Sequence, residues 1–227
     1  KKYGSEANII ANWFGKEDLG FTIDGATKTI FGDISNPECV KKIKAENQEP
    51  FDYMFYATAL GEVGVPIAEA KPDSNVQSNR LSFDPIPMLE EQLNIKTTVA
   101  YSTFYVIRHQ LATYGAMGYS KEAIEKWTLE SGKSHHACIR AGLFESQSSR
   151  GIKLLLRKSA KNPENIKDPL LKNYFSGKSS KEGIKEFEEG IFKEEKEAYG
   201  DCRTNAEDLY QSHLTLFESS TPLFVNV

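Results

Sequence analysis

Cysteine is scarce in this chain: Cys39, Cys138 and Cys202, an odd number with no CxxC spacing. That excludes a disulfide framework and a cysteine-ligated zinc site. It reads as ordinary thiols of a reducing compartment, cytoplasmic or an organelle stroma or matrix. No apolar run reaches membrane-spanning length, and the polar N-terminus does not resemble a signal peptide. A positive excess is also missing. A net charge of -4 and a pI near 5.7 give no global attraction to nucleic acid, and Arg108 and Lys158 near aromatics make no stripe. There is no Gly-x-Ser-x-Gly, no P-loop, no His-Glu-x-x-His, no internal repeat and no low-complexity linker. Ser134-His135-His136 falls in a predicted strand, where adjacent side chains face opposite sides, so no metal is expected. His109 and His213 are isolated.

What is present suits one α/β domain. The 227 residues carry 39% apolar and 11% aromatic side chains, enough to build a core. The chain starts at Lys1 without a methionine, as a fragment or a processed product does. Ala7, Ile9, Ile10, Trp13 and Phe14 have helical spacing and predict a helix over 5–15. Leu19 to Ile23 and Lys28 to Phe31 read as short strands around an Asp24-Gly25 turn. Ser35 or Asn36 caps the next helix, with Pro37 in its first turn. Phe51 to Ala57 is nearly continuous apolar and aromatic, the pattern of a strand buried on both faces of a parallel sheet.

Residues 60–82, rich in Gly, Pro, Asn and Ser, read as loop. A helix at 86–93 and a strand at 96–102 follow, and Tyr114 opens a long helix to about Glu130. Residues 134–141 form a further strand, with helices near 150–160, 167–175, 180–198 and 204–217 and a terminal strand at 222–227. The Lys/Glu run from Lys181 to Lys196 reads as a solvated helix face laced with i,i+4 pairs. Strands alternating with helices predict a doubly wound parallel sheet, Rossmann-like, in a single domain over 1–227.

The chemistry gathers at Tyr114 and Lys121. Their spacing is close to two helical turns, so both side chains can project from one face. A phenol beside an ammonium is a proton-donor arrangement, because the positive charge favours the phenolate and lowers the phenol's pKa. Gly115, Ala116 and Gly118 between them let a large group approach the backbone. The alternative is a helix whose Tyr and Lys merely sit at its surface.

The stretch Tyr114-Gly115-Ala116-Met117-Gly118-Tyr119-Ser120-Lys121 resembles the Tyr-x6-Lys variant of the short-chain dehydrogenase/reductase superfamily carried by enoyl-acyl-carrier-protein reductases. The ordinary Tyr-x3-Lys spacing fails at Met117, and Tyr119 cannot share the lysine's helix face. Ala141-Gly142-Leu143-Phe144-Glu145-Ser146 is similar to the family's Ala-Gly-Pro-Ile-x-Thr turn, with Leu143 for the proline and Ser146 for the threonine. Gly32-Asp33-Ile34 is similar to the strand end that contacts adenine, and Tyr56-Ala57-Thr58-Ala59 takes the place of the turn under the cofactor ribose. Asn205 to Val225 is similar to the last helix and strand, without the usual Asp-Gly-Gly. The first strand and glycine-rich turn are missing, with Gly4 in the place of the turn's last glycine.

The resemblance implies an NAD (NADH) cofactor, with NADP not excluded, and reduction of an enoyl thioester of the fatty-acid-synthesis type. It gives Tyr114 the role of stabilising the enolate and Lys121 that of holding the nicotinamide ribose. The second catalytic hydroxyl falls nearest Phe104 and Tyr105; Tyr105 is preferred and Ser102 comes second. Cofactor contacts are implied for Lys121, Asp33, Ile34, Ala57, Ala141, Ser146 and Gly4, with Asp24 a candidate for a ribose hydroxyl. Residues 150–198 take the place of a helical insertion covering the substrate. The implied partners are a small-molecule or acyl-thioester substrate, acyl carrier protein as its carrier, and further copies of the chain in a homo-oligomer. Two rivals remain: a carbonyl reductase of the same superfamily, and a non-catalytic dinucleotide-fold protein that binds a partner or senses a cofactor. The missing glycine-rich turn, Leu143 and the missing Asp-Gly-Gly favour the latter.

Overall fold

Parallel pairing sets the architecture. The computed structural model describes residues 6–15, 22–130, 132, 134–200, 204–218 and 224–227, with the side chains of Gln147 and Ser148 excepted. Gly4, Cys202 and most of the strand expected at 19–23 lie outside these residues. Strands β3 (Phe51–Tyr56), β4 (Ile95–Thr103), β5 (His135–Ala141) and β6 (Phe224–Asn226) form a four-stranded sheet in that order, every pair parallel. β1 (Ile10–Trp13) and β2 (Lys28–Phe31) pair parallel in a separate two-stranded sheet. The expected doubly wound, Rossmann-like α/β architecture is observed.

Helices α1 (Pro37–Glu46), α2 (Pro72–Ser82), α3 (Pro85–Leu93) and α5 (Gly115–Thr128) cover one face. Their main core joins Val40, Leu81, Ile86, Leu89, Ile124 and Trp127 to Tyr56, Ala100 and Cys138 of the strands. Helix α9 (Ala206–Glu218) covers the other face, where Val99, Ala137 and Ile139 pack with Val227 and the partly buried Leu209. Alternation along β4 and β5 divides the faces: Ala100 and Cys138 go one way, Val99 and Ile139 the other. A third cluster sits beyond the C-terminal end of β4. There Phe104, Ile107 and Ala112 flank the short α4 (Arg108–Leu111) and meet α6 (Gln147–Ser159), α7 (Pro169–Phe175) and α8 (Ser180–Tyr199) through Leu156, Phe175, Phe187 and Ile191.

Three expectations are corrected. The helix over 5–15 is not formed; Ile10–Trp13 is a strand. Extended backbone suits Ile10 and Trp13, and Asn12 Nδ2 donates to the Ile30 carbonyl at 3.1 Å and the Gly32 carbonyl at 3.2 Å, fixing β1 on β2. β3 is not buried on both faces: among the described residues it is the edge of its sheet, and Phe55 is 41% exposed. Residues 72–82, read as loop, are helix α2. Its sequence has little apolar periodicity because it packs on α5 through small polar groups, with Ser78 Oγ 2.8 Å from Ser120 Oγ. The charged run 181–196 has the expected solvated face with i,i+4 pairs, Lys185–Glu189 at 3.8 Å and Lys193–Glu197 at 3.9 Å, and its other side carries a buried stripe of Ile184, Phe187, Ile191 and Glu195.

Candidate active site

In a parallel sheet all strands end on one side, and ligands collect at that C-terminal edge. Tyr101, Ser102 and Thr103 close β4 there, beside Ile139, Arg140 and Ala141 of β5 in register. Tyr114 and Lys121 come from the start of α5, which packs on both strands. Tyr114 is the residue before the first helical turn, and Gly115 follows it with φ +49°. A side chain at Gly115 is excluded, because a Cβ would lie 2.6 Å from the Glu62 carbonyl oxygen. That close approach lets Gly115 N donate to the Val65 carbonyl at 2.9 Å and Met117 N to the Glu62 carbonyl at 3.3 Å.

Lys121 is buried at 7% exposure, and its Nζ donates to the Tyr101 carbonyl at 2.8 Å. Burial pushes the ammonium down to about 8, opposed by the negative charge available at Cys138 and Glu125. Tyr114 behaves differently from the sequence expectation. Burial pushes its phenol up to about 12, a hydrogen bond with Thr103 pulls it down, and the charge of Glu195 raises it. Lys121 is not among the groups that move it. The phenol is therefore a firmly protonated donor at neutral pH and not an ammonium-stabilised phenolate. Thr103 Oγ1 in turn donates to the Ala141 carbonyl at 2.8 Å, which ties the phenol's neighbour to the end of β5.

Tyr105 follows the end of β4, where its backbone N donates to the Thr103 carbonyl at 2.8 Å. Its neighbours are Glu125, Glu122, Arg140 and Tyr199, and burial with the two glutamates pushes it up to about 12. Ser102, the second choice, donates to Glu125 Oε1 at 2.7 Å, and Glu125 holds Arg140 through Nε at 3.0 Å and Nη2 at 2.5 Å. Phe104, the nearest counted position, is buried and stacks on Tyr199 at 3.9 Å between ring centroids. The hydroxyl beside Tyr114 is thus Thr103, one residue before Phe104.

The turn after β5 is closed by three elements. Gly142 N donates to the Val227 carbonyl at 3.0 Å and to Thr204 Oγ1 at 2.7 Å. Leu143 N, the amide that a proline would lack, donates to Glu195 Oε1 at 2.9 Å. Glu195 is 1% exposed, its Oε2 has no hydrogen-bond partner, and burial pushes the carboxyl up to about 7 against the Leu143 amide. Ser146 caps α6, accepting from Ser149 N at 3.1 Å. A cavity of about 460 Å³ lies between this turn, α6 and α8, lined by Leu143, Phe144, Lys153, Glu188, Phe192 and Thr204.

The expected adenine contacts are otherwise engaged. Asp33 accepts from Ser35 N at 2.9 Å, Ser35 Oγ at 2.6 Å and Arg80 at 3.1 Å. Burial raises its carboxyl, but these hydrogen bonds outweigh that and hold it below its usual range. Ile34 is buried in the main core. Ala57 is exposed just past the end of β3, and Ala141 is half-buried at the end of β5. So the structure brings Tyr114, Lys121, Tyr105, Ala141 and Ser146 to the ends of β4 and β5, while Ile34 is buried in the main core. Sequence reasoning missed Glu195, and it preferred Tyr105 and Ser102 to Thr103 among the hydroxyls of that loop. The signal for Glu195 was present, since 184, 187 and 191 set an apolar helical stripe whose next position is 195.

Among the described residues no group of three or more His, Cys, Asp or Glu side chains is placed to hold a metal, and no helix is long and apolar enough to cross a membrane.

No family model matches the chain, and no curated protein matches its sequence significantly. Solved structures do match. A short-chain dehydrogenase from Streptomyces avermitilis is 14% identical at a TM-score of 0.54, covering 90% of this chain and 71% of that one. An NAD+-bound xylitol dehydrogenase is 14% identical at 0.50, covering 70% of this chain and 63% of that one. The enoyl-[acyl-carrier-protein] reductase (NADH) of Aquifex aeolicus VF5 is 18% identical at 0.45, covering 74% of this chain and 69% of that one. The first two likenesses establish a short-chain-dehydrogenase fold, and the chemistry has to be argued from this chain's own residues.

Proposed function

We propose that the chain is a nicotinamide-dependent oxidoreductase and, within that class, an NADH-dependent reductase of an enoyl thioester. The observation that carries this reading is the neutral Tyr114 phenol at the strand ends, with Lys121 buried two helical turns along the same helix. Reduction of a conjugated thioester puts negative charge on the thioester oxygen only as the reaction proceeds. A pre-set, protonated hydrogen-bond donor is worth most against charge that develops in the transition state.

The residues fit the nicotinamide end of a dinucleotide better than its adenine end. Lys121 uses one N–H on the Tyr101 carbonyl, which leaves two donors for ribose hydroxyls. Ala57 follows the end of β3 and Ala141 ends β5, and Ser146 stands at the N-terminus of α6, where a phosphate is favoured. Asp33 reaches an adenine only if Arg80 releases it. A bound nicotinamide supplies the hydride; the chain's own residues position, exclude water and hold the proton. Tyr114 donates to the thioester oxygen, and Thr103 orients the phenol from the side of β5. Helices α6 to α8 cover the site. An acyl chain, a carrier protein and assembly into a homo-oligomer are consistent with this reading.

Oxidation of NADH with crotonyl or dodecenoyl thioesters tests it. Tyr114→Phe is expected to lower the rate by about two orders of magnitude or more, the scale of losing an acid or oxyanion donor. Undiminished activity in that variant removes Tyr114 from the mechanism, and a preference for ketones over enoyl thioesters shifts the reading to a carbonyl reductase. A non-catalytic role draws support from the engaged Asp33 and the closed turn at Leu143; calorimetry finding no NADH binding would favour it.

A further inference from the structure

His109, isolated in the sequence, is where three helices meet. It is 6% exposed on α4, against the apolar cluster beyond the end of β4. Its Nε2 shares a hydrogen bond with the Tyr174 hydroxyl of α7 at 2.8 Å. Glu194 of α8 reaches it twice. Oε2 accepts the His109 backbone N–H at 3.0 Å, a donor that the start of a helix leaves unsatisfied, and lies 2.8 Å from Nδ1, out of line for a straight ring N–H bond. Helix α8 gives up a side chain to admit the pair, since a Cβ on Gly190 would run into both Nε2 and the Tyr174 hydroxyl. Phe187 packs beside the ring at 5.2 Å between centroids. A buried polar junction of this kind is costly unless its partners stay in place. Its position gives it a use. Helix α4 leads directly into Tyr114: Thr113 Oγ1 donates to the His109 carbonyl at 3.1 Å, and the Tyr114 N–H to the Gln110 carbonyl at 2.9 Å. The next residue of α8, Glu195, accepts the Leu143 N–H at 2.9 Å, so adjacent glutamates grip the start of α4 and the turn after β5.

We propose that His109 is a positioning residue that couples the α7–α8 cover to the turn carrying Tyr114. With the cover seated, Tyr174 and Glu194 fix the ring and the start of α4, and the turn from Leu111 to Tyr114 is held with them. When the cover lifts, both contacts are lost together and that turn loosens. Coupling between separated groups is carried by such packed and hydrogen-bonded junctions when they have two discrete arrangements. The cover is then more than a shield: a substrate that seats it also sets the hydrogen-bond donor, so that recognition and chemistry act through one element. What Tyr114 does there rests on the reductase reading given above; the coupling itself does not.

Tyr174→Phe is the direct test, since it removes only the hydroxyl and keeps the ring that packs edge-on against Phe187. Hydrogen–deuterium exchange is followed in the full chain without cofactor. The Leu111 to Tyr114 amides, on a different helix from the substitution, are expected to exchange about fivefold faster or more in Tyr174→Phe and in Glu194→Ala. Glu186→Gln, which removes the Lys178 ion pair on the outside of the cover, leaves them unmoved. Because both partners act through one ring, the effects combine to less than their sum in the double variant. Faster exchange confined to α7 and α8, with the 111–114 amides unchanged, makes His109 an ordinary core residue and overturns the proposal; so does full additivity. The wild-type protein decides the matter if the variants fail to fold. Its α7 and 111–114 amides are expected to share one urea dependence of exchange, and separate dependences are equally fatal. Turnover of an enoyl thioester is a separate readout: Tyr174→Phe is expected to lower kcat about threefold or more with the KM for NADH unchanged. A raised thioester KM with kcat kept would reduce the cover to a shield and count against the coupling. If wild type shows no NADH-dependent turnover, the reductase reading fails while the exchange result still stands on its own.

Discussion

Two buried ionisable groups oppose each other across neutral pH. Glu195 titrates near 7 in the folded chain against an ordinary value of 4.5. Between those values the folded state keeps a proton that the unfolded chain has lost, so stability falls as pH rises from 4.5 to 7 and stays lowered above. With allowance for solvent screening the loss is about 2 kcal/mol. Glu195→Gln is therefore expected to melt several degrees above wild type at pH 8, with the gap closing by pH 4.5, as scanning calorimetry would report. Lys121 has the opposite sign. Its ammonium titrates near 8, below its ordinary 10.5, so the full cost of burying the charge stands below pH 8 and is relieved as pH rises from 8 to 10.5. Lys121→Met should raise the melting temperature at pH 7 and abolish NADH binding. A variant that binds NADH as wild type does would separate Lys121 from the cofactor. A lysine that lowers stability where it sits is better explained by a ligand than by packing.

Around these residues the elements leave little slack. Tyr114 is held by the crossing of the 60–67 segment over the start of α5, where Gly64 N donates to the Thr113 carbonyl and Gly115 N to the Val65 carbonyl. Gly115→Ala puts a Cβ against the Glu62 carbonyl oxygen at a positive φ, so it is expected to cost about 2 kcal/mol or more in urea unfolding. A cost below half a kcal/mol would mean that the crossing gives way easily. The same crossing explains what the sequence could and could not disclose. Gly115 and Gly118 stand out between Tyr114 and Lys121 because the 62–67 segment packs against the start of α5 at those positions. The helix at 72–82 stays hidden, because its buried positions are Ser78, Leu81 and Ser82, and serines carry no hydrophobic signal. Glu195 is hidden for a different reason: a glutamate in a Lys/Glu run reads as solvated until the apolar stripe before it is counted. Counting along the loop before Tyr114 points to Phe104 and Tyr105, and the hydroxyl hydrogen-bonded to the Tyr114 phenol is Thr103, one residue before Phe104.

At the scale of the molecule, alternating strands and helices made the α/β class legible, and the exceptions are at the margins of the sheet. Five apolar positions in 5–15 fit a helical period, yet pairing with β2 wins, because a strand there satisfies the backbone that β2 offers. Phe51 to Tyr56 reads as interior because its composition is that of an interior strand, but among the described residues it has one strand neighbour, β4. The result is an aromatic edge, with Tyr53, Phe55 and Phe217 in mutual contact and Phe55 41% exposed. Open apolar edges of parallel sheets invite association with another strand. Helix α5 is a poorer surface for pairing copies, since Ala116, Met117, Ile124 and Trp127 are spent on this chain's own interior. Association of copies through this edge, as described among these residues, is expected to depend on Phe55. Phe55→Lys should shift the protein toward monomer in sedimentation velocity, with its far-UV spectrum kept and a stability cost of about 1 kcal/mol. If Phe55→Lys leaves the sedimentation coefficient unchanged while Leu129→Glu, at the exposed end of α5, lowers it, the copies meet through the helix instead.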